Sequence, residues 1–456
     1  MSSSIPAALE RILALSRADD CIAIGSRTTA ANIRWANNTS TTNGASTVEH
    51  LIVISVIGGR LGTMSRTAIP DDDGLEELVR ASEAACEGKP EAEDRMPLLA
   101  GDGRAPDDWA EPALATGPET LGGFAADLAG LFARAHTDGI ALFGYAEHET
   151  ETTWLATSSG VRRRYTWPQG KVEITGKSPD FTRSTWAGRD TTTFADVECE
   201  QLYDKIRQRL SWAERRIELD PGRYEVLLEP AAVADMVLYQ YISSARRDAD
   251  EGRTVFSKPG GNRIGEQLTA PSVSLYSDPH EPGIEVPGIL VTPASSSYAS
   301  VFDNGLETGR VDWVRDGTLT NLITTRHWAA RTDGAEAVPF IRNLILPSRG
   351  PALDQMIASS GRALLVTCFW YIREVDPQTL LLTGLTRDGV FLIEHGEVIG
   401  AVNNFRYNMS PVQMLAHVVE AGETQITLSR EWEFAHAKIP PLRIADFNMS
   451  SVSDAT

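Results

Sequence analysis

The two longest apolar runs of the chain, Leu51 to Ile57 and Ala363 to Ile372, lie far apart in the sequence. Each is too short to cross a bilayer as a helix, which takes roughly 20 residues. Both read as buried strands, so the fold is built around sheets in both halves of the chain. A chain of 456 residues is also too long for one ordinary core, and two or three domains are expected. The 42 Lys and Arg against 62 Asp and Glu leave a net charge of -20. Phosphate surfaces are held by clustered Lys and Arg, so this balance argues against nucleic acid and against an anionic membrane. Met1-Ser2-Ser3-Ser4-Ile5-Pro6 has no basic run, and Arg11 interrupts the nearby apolar stretch, so no signal peptide is read there. The expectation is a cytoplasmic protein with an acidic, solvated surface. Four scattered cysteines, Cys21, Cys86, Cys199 and Cys368, form no C-x-x-C pair and fit reduced core thiols. Cys368 has no histidine or acidic neighbour in sequence to make it a nucleophile.

The first half alternates helices and strands. Leu9, Ile12, Leu13 and Leu15 give Ala7 to Ser16 a helical spacing. Strands are expected at Cys21 to Ile24, Ala31 to Trp35 and Val48 to Val56, with turns at Asn37-Asn38 and Gly58-Gly59 and a hairpin return over Arg60 to Ser65. Asp71-Asp72-Asp73 opens a helix to about Cys86, acidic residues sitting at the positive end of its dipole. Gly88 to Thr120 reads as a long surface connection. A helix over Leu121 to His136 follows, then strands at Ile140 to Glu147, Thr152 to Ser158, Arg162 to Trp167 and Val172 to Gly176, then a helix over Phe194 to Glu214.

Asp220-Pro221-Gly222 marks a boundary, giving an N-terminal domain over 1–220 and a C-terminal one over 221–456. Beyond the strand Tyr224 to Leu228 comes one long helix, Ala231 to Asp250. Strands then dominate: Ser272 to Tyr276, Gly288 to Thr292, Gly309 to Val314, Thr318 to Thr324, Pro339 to Leu346, Ala363 to Phe369, Gly389 to Glu394, Glu397 to Asn404 and Gln425 to Leu428. Short helices are expected at Ala352 to Ser359 and Pro411 to His417. The fold class is α+β, with no internal repeat.

None of the eight histidines pairs at the spacing of a helical zinc motif. His148-Glu149 has threonines where a second imidazole would stand, and its surroundings alternate as a strand, so it reads as a solvated strand end. His280-Glu281 lies between prolines and reads as a loop. A metal site assembled from distant parts stays open, because catalytic zinc needs three converging donors wherever they originate. Arg162-Arg163-Arg164 is a basic run in which Arg162 and Arg164 share a strand face; it reads as surface charge balance or as a contact to an acidic partner. Gly260 to Gly265 lacks the Lys-Ser/Thr of a phosphate loop.

Glu229-Pro230-Ala231-Ala232-Val233-Ala234-Asp235-Met236-Val237-Leu238-Tyr239-Gln240-Tyr241-Ile242-Ser243 resembles the helix that carries the H-E-x-x-x-H zinc motif in the TldD/TldE (PmbA) metallopeptidase family. Other landmarks of that family have counterparts in order along nearly the whole chain. They are Gly58-Gly59-Arg60-Leu61-Gly62, Asp220-Pro221-Gly222 leading to the helix, Asn262 to Pro271, Thr324-Thr325-Arg326-His327-Trp328, Asn343 to Leu346 and Gly389 to Val398. At the motif positions this chain has Leu238 and Ser243 for the histidines and Tyr239 for the glutamate. Leucine donates nothing, and serine is rarely a zinc ligand. No cysteine follows Cys368, where TldD-type members have one, and Thr379 to Thr386 departs from the usual "G-D-F-S-x-G" stretch.

The resemblance implies a two-domain architecture: an N-terminal α/β-sheet domain and a mainly antiparallel C-terminal β domain with a long helix. It implies a TldE-like subunit with no catalytic residue and no metal of its own. Such a subunit would complete, as a heterodimer, the peptide-cleaving cavity of a TldD-like partner that carries the zinc. Arg326, His327, Tyr239 and Tyr241 are the candidate contacts to peptide or partner. Arg forks match carboxylates, whereas the two tyrosines either fill the volume left by the metal site or line the chamber. The alternatives are a stand-alone peptide-binding or regulatory protein, and one half of a specialised pair that matures a peptide-like natural product.

Overall fold

Asn37 and Asn38 both have positive φ, 51° and 59°, which is the geometry that closes a two-residue hairpin in register with the strand twist. The expected short runs on either side are therefore one long hairpin. The computed structural model describes residues 4–454 except 333 and 388; Met1, Ser2 and Ser3 of the N-terminal reading lie outside the described residues. In it β1 (Asp20–Ala36) and β2 (Thr39–Ile57) form this hairpin, and Gly58 and Gly59 turn the chain into β3 (Arg60–Thr67). The pairs expected at 140–158 and 162–176 are likewise single strands, β4 (Ala141–Thr157) and β5 (Arg162–Lys177), and β6 (Ser184–Thr191) was not expected. These six form one sheet in the order β3-β2-β1-β4-β5-β6, antiparallel throughout.

Four helices cover one face of that sheet: α1 (Ile5–Leu15), α2 (Asp72–Ala84), α3 (Gly122–Thr137) and α4 (Cys199–Trp212). Leu9, Ile12, Leu75 and Val79 pack on Cys21, Ala23, Leu51 and Val53. Phe124, Leu128, Tyr203 and Ile206 pack on Trp35, Ala146, Val172 and Ile174. Helix α4 begins later than Phe194, because that residue sits at φ 61°, outside helical geometry. Strand residues alternate sides, so Ile22, Ile24, Ile54, Val56 and Leu155 point the other way. They meet Val301 and Phe302 of the C-terminal half. Gly305, at φ 91°, lets the backbone approach there: a Cβ would come within 2.8 Å of Val161.

The C-terminal half begins with β7 (Arg216–Ile217) and β8 (Gly222–Leu228). Its larger sheet runs Trp370–Asp376, Leu381–Leu385, Phe405–Met409, Leu442–Val452, β8, Arg362–Val366, Val390–Glu394, Glu397–Val402 and β7, with Val418–Ala421 paired to Leu442–Val452. The smaller sheet runs Thr318–Leu319, Val311–Arg315, Leu275–Ser277, Asn343–Ile345, His436–Ile439 and Gln425–Thr427. Pairing is mainly antiparallel, with parallel contacts where β8 meets Arg362–Val366, β7 meets Glu397–Val402 and Asn343–Ile345 meets His436–Ile439. The class is α+β. The expected strand Gly288 to Thr292 is absent; Ile289 makes one isolated bridge to Glu307.

The expected helix 231–250 is two helices, α5 (Pro230–Ile242) and α6 (Arg246–Asp250). Between them the chain leaves the helix to pair with another segment. Ser244 O accepts from Ile323 N, and Ile323 O accepts from Arg246 N. Helix α5 shares one core with both sheets, among them Leu275, Val314 and Leu344 on one side and Leu364, Val366 and Phe447 on the other. Among the described residues no helix is long and apolar enough to cross a membrane.

Candidate functional site

Strand β8 delivers the chain to Glu229, the N-cap of α5, and Pro230 opens the helix where its missing N–H costs nothing. Eleven of the helix's thirteen residues are buried. Leu238 is fully enclosed in apolar core. Tyr239 is half-buried, its ring edge-on to Trp432 at 5.0 Å. Ser243 caps the helix and donates from Oγ to Tyr239 O at 2.9 Å. Tyr241 is buried, stacked on Phe340 at 5.1 Å. Its hydroxyl donates to Ile341 O at 2.9 Å and accepts from Ile341 N at 2.8 Å. As placed, Tyr241 is a core residue with both hydrogen-bonding roles filled, not a surface for peptide.

One charged residue sits inside this apolar helix. Asp235 is fully buried, and its Oδ1 accepts from Arg430 N (2.8 Å) and Glu431 N (2.9 Å). It thereby ties segment 428–436 to α5. Glu431 continues the tie, accepting from Tyr371 N at 2.9 Å and Ile372 N at 3.2 Å. The Arg430 guanidinium lies over Trp370 and, at 5.3 Å, over Trp186. Asp235 Oδ2 is buried with no hydrogen-bond partner among the described residues. Burial, opposed by the two N–H donors, raises the Asp235 pKa to about 8, so the carboxyl is largely protonated at neutral pH.

The zinc ion that the family resemblance implies does not fit these residues. Leu238, Tyr239 and Ser243 offer no imidazole, thiolate or carboxylate. Position 238 is packed core, and the Ser243 hydroxyl is spent on the helix. Among the described residues, no three His, Cys, Asp or Glu side chains are grouped to hold a metal.

The remaining candidates lie elsewhere. Arg326 and His327 open a short helix, Arg326–Ala330, capped by Thr325, rather than ending a strand. The Arg326 guanidinium donates to Pro97 O (3.1 Å) and Phe302 O (3.0 Å), and the backbone N–H of Arg326 donates to Asp303 Oδ2 at 3.0 Å. It stitches the long 88–120 connection to the C-terminal half. His327 stands beside it in the same helix. These two share no partner with Tyr239 and Tyr241. Arg162 grips Glu10 (2.6 and 2.8 Å), Arg164 grips Asp108 (2.6 Å) and Arg163 meets Glu307 (3.4 Å), so the basic run is spent on internal ion pairs. His148 is not solvated. It is buried within continuous β4, bonded to Thr116 Oγ1 (2.8 Å) and Thr192 O (2.9 Å).

Segment 428–436 also closes a cavity of about 190 Å³ against β4 and β5. Glu147, Glu149, Trp167, Asp190, Trp432 and His436 line it. His436 Nδ1 and Asp190 Oδ2 lie 2.6 Å apart, both residues buried. Burial opposes the charged imidazole, but the charge and hydrogen bond of Asp190 outweigh it and raise the His436 pKa above 6.5. A second tie between the halves is buried at the start of α5, where Arg209 of α4 holds Glu229 through two contacts of 2.6 and 2.5 Å. Sequence reading missed Asp190, Asp235, Glu431 and His436. Asp235 alone had a signal: it is the one acidic residue inside an otherwise apolar helical run.

A search of curated proteins finds no match to the chain. Among solved structures it is similar in fold to TldE from Thermococcus kodakarensis, with TM-score 0.79 and 14% identity, covering 97% of this chain and 99% of that one. It is also similar to two proposed modulators of DNA gyrase. The one from Bacteroides thetaiotaomicron has TM-score 0.75 and 15% identity over 98% and 97% of the two chains. The one from Thermotoga maritima has TM-score 0.75 and 14% identity over 98% and 100%. Residues 221–451, half of the chain, match the family model of the PmbA/TldA metallopeptidase C-terminal domain. With the whole-chain likeness in fold and the family's landmarks in order, the chain belongs to the TldD/TldE (PmbA) metallopeptidase family.

Proposed function

We propose that this chain is a non-catalytic, TldE-like subunit of a cytoplasmic heterodimeric peptidase, whose zinc is carried by a TldD-like partner. The observation that carries the reading is the state of α5. The helix is retained, but Leu238, Tyr239 and Ser243 replace donors with core packing and a cap. The loss is built in rather than local, because segment 428–436 is anchored on Asp235 of the same helix. A subunit in this role supplies walls, and strand-rich walls hold extended peptides through main-chain hydrogen bonds with little sequence demand.

The test is to purify the tagged chain from its own cells and analyse its companions and metal. A near-equimolar protein bearing H-E-x-x-x-H is expected. So is chelator-sensitive peptide cleavage by the pair, and neither zinc nor cleavage in the isolated chain. Cleavage by the isolated chain, abolished by chelator, would overturn the reading. Recovery without any such companion would favour the stand-alone binding role.

A further inference from the structure

The cavity between β4, β5 and segment 428–436 contains buried hydrogen-bonding groups that the molecule itself does not use. Asp190 holds Nδ1 of His436, while His436 Nε2 is buried without a partner among the described residues. The indole N–H groups of Trp167 and Trp432 are likewise buried and unpartnered among them. Buried donors are nearly always satisfied, so orphans around one cavity point to an acceptor that arrives from outside.

The opposite need stands on β4. Glu147 and Glu149 are two apart on the strand and therefore share the face turned to the cavity. Among the described residues, neither has an ion pair. Lys171, across from Glu147 in register, is instead held by Glu433 and Glu173. Glu149 accepts from Gln169 at 3.0 Å. Burial first, and then the charges of Glu147 and Glu151, raise its pKa, as expected for carboxylates lacking a cation.

We infer that this cavity binds the amino terminus of a peptide, Glu147 and Glu149 taking the α-ammonium while His436 Nε2 and the Trp167 and Trp432 indoles donate to the adjoining carbonyl. An ammonium donates three hydrogen bonds and accepts none, which suits a carboxylate pair, and aromatic walls add attraction for a cation. The cavity, about 190 Å³, has room for the end of a chain and not for a folded protein. The choice of a peptide as ligand rests on the function proposed above; the preference for a free amine rests on the cavity alone.

The test is calorimetric titration of the purified full-length chain with trialanine amide, its Nα-acetyl form and free alanine. Trialanine amide is expected to bind at least tenfold tighter than the acetylated form, and tighter than alanine. The double variant Glu147→Gln/Glu149→Gln is expected to remove that preference. Proton–nitrogen NMR gives a readout that needs no variant: trialanine amide is expected to shift the indole N–H signals of Trp167 and Trp432. Equal binding of the free and acetylated peptides, tighter binding of alanine, unmoved indoles, or no binding at all would each overturn the inference. A chain that copurifies with a zinc-bearing subunit but ignores acetylation loses only this inference. One that discriminates but has no such companion loses only the heterodimer.

Discussion

The N-terminal sheet and the larger C-terminal sheet are built in opposite ways. In the N-terminal sheet, four of the five ladders join strands that follow one another in sequence, and only β1 with β4 is a distant pair. In the larger C-terminal sheet, β8 lies between Leu442–Val452 and Arg362–Val366, both far from it in sequence. The first sheet tolerates local change, because each hairpin carries its own closure. The second is a convergence of distant segments on α5, so a change at that helix is felt by all of them. Leu238, Tyr239 and Ser243 lie on that helix, and Leu238 is enclosed in the converged core.

The sharpest way to break this contrast is Glu229→Ala. It leaves the Arg209 guanidinium buried with, among the described residues, only Trp186 O at 2.5 Å as a hydrogen-bond acceptor. Removing one partner of a buried pair costs about 3–5 kcal/mol, and urea unfolding is expected to show a loss of that size. Leu238→Ala follows, at about 3 kcal/mol for a large core side chain cut to alanine in a site that cannot collapse. If either change costs less than about 1 kcal/mol, below the ordinary range for core truncation, the C-terminal half is not the tightly converged region described above.

The same contrast decides what the sequence reveals. Helices α1 to α4 cover one face of a sheet, so their apolar residues recur at helical spacing and place them correctly. Both hairpin turns were legible because Asn37-Asn38 and Gly58-Gly59 supply the positive φ those turns demand. Strand continuity was not, since residues such as Thr150 and Glu149 look like a break and are held in place by neighbours on both sides. Leu442–Val452, His436–Ile439 and Phe405–Met409 escaped notice for a related reason. All three are strands by pairing with remote partners; Leu442–Val452 mixes polar and apolar residues irregularly, whereas Phe405–Met409 and His436–Ile439 do alternate but over only five and four residues, too short a run to stand out. That Leu238, Tyr239 and Ser243 offer no zinc donor is legible in the helix sequence itself. The His436–Asp190 pair is not, because its two residues are far apart in sequence and meet only in the folded chain.

A titration separates the two regions without cutting away a side chain. Asp235 has a folded pKa of about 8, against an ordinary 3.8. The folded state therefore keeps a proton that the unfolded chain has lost. Stability is expected to fall as pH rises from about 4 to about 8, by at most about 1.4 kcal/mol per pH unit, and to level above that. Asp235→Asn should flatten this slope while keeping an acceptor for Arg430 N and Glu431 N. The His436–Asp190 pair acts in the same direction over a higher window. Its contribution is complete below pH 6.5 and is lost as pH rises through the raised folded pKa of His436. Urea midpoints across pH for wild type, Asp235→Asn and Asp190→Asn separate the two. An unchanged slope in Asp235→Asn would show that the carboxyl is ionised in the fold.

The smallest effect is expected at the far end of the β1–β2 hairpin. Residues Thr39 to Val48 are exposed throughout, and β3 pairs only with His50–Ile57, so this part of β2 has β1 as its sole neighbour. Thr42 faces Arg34 across the ladder and touches no core. Thr42→Ala is expected to shift stability by no more than about 0.5 kcal/mol, the scale of surface changes away from caps and cores. The measurement is informative because β-branched threonine does favour strands by some tenths of a kcal/mol. A cost approaching that of Leu238→Ala would mean that something covers the hairpin tip in solution, and the tip would then belong with the converged half rather than with the locally closed one.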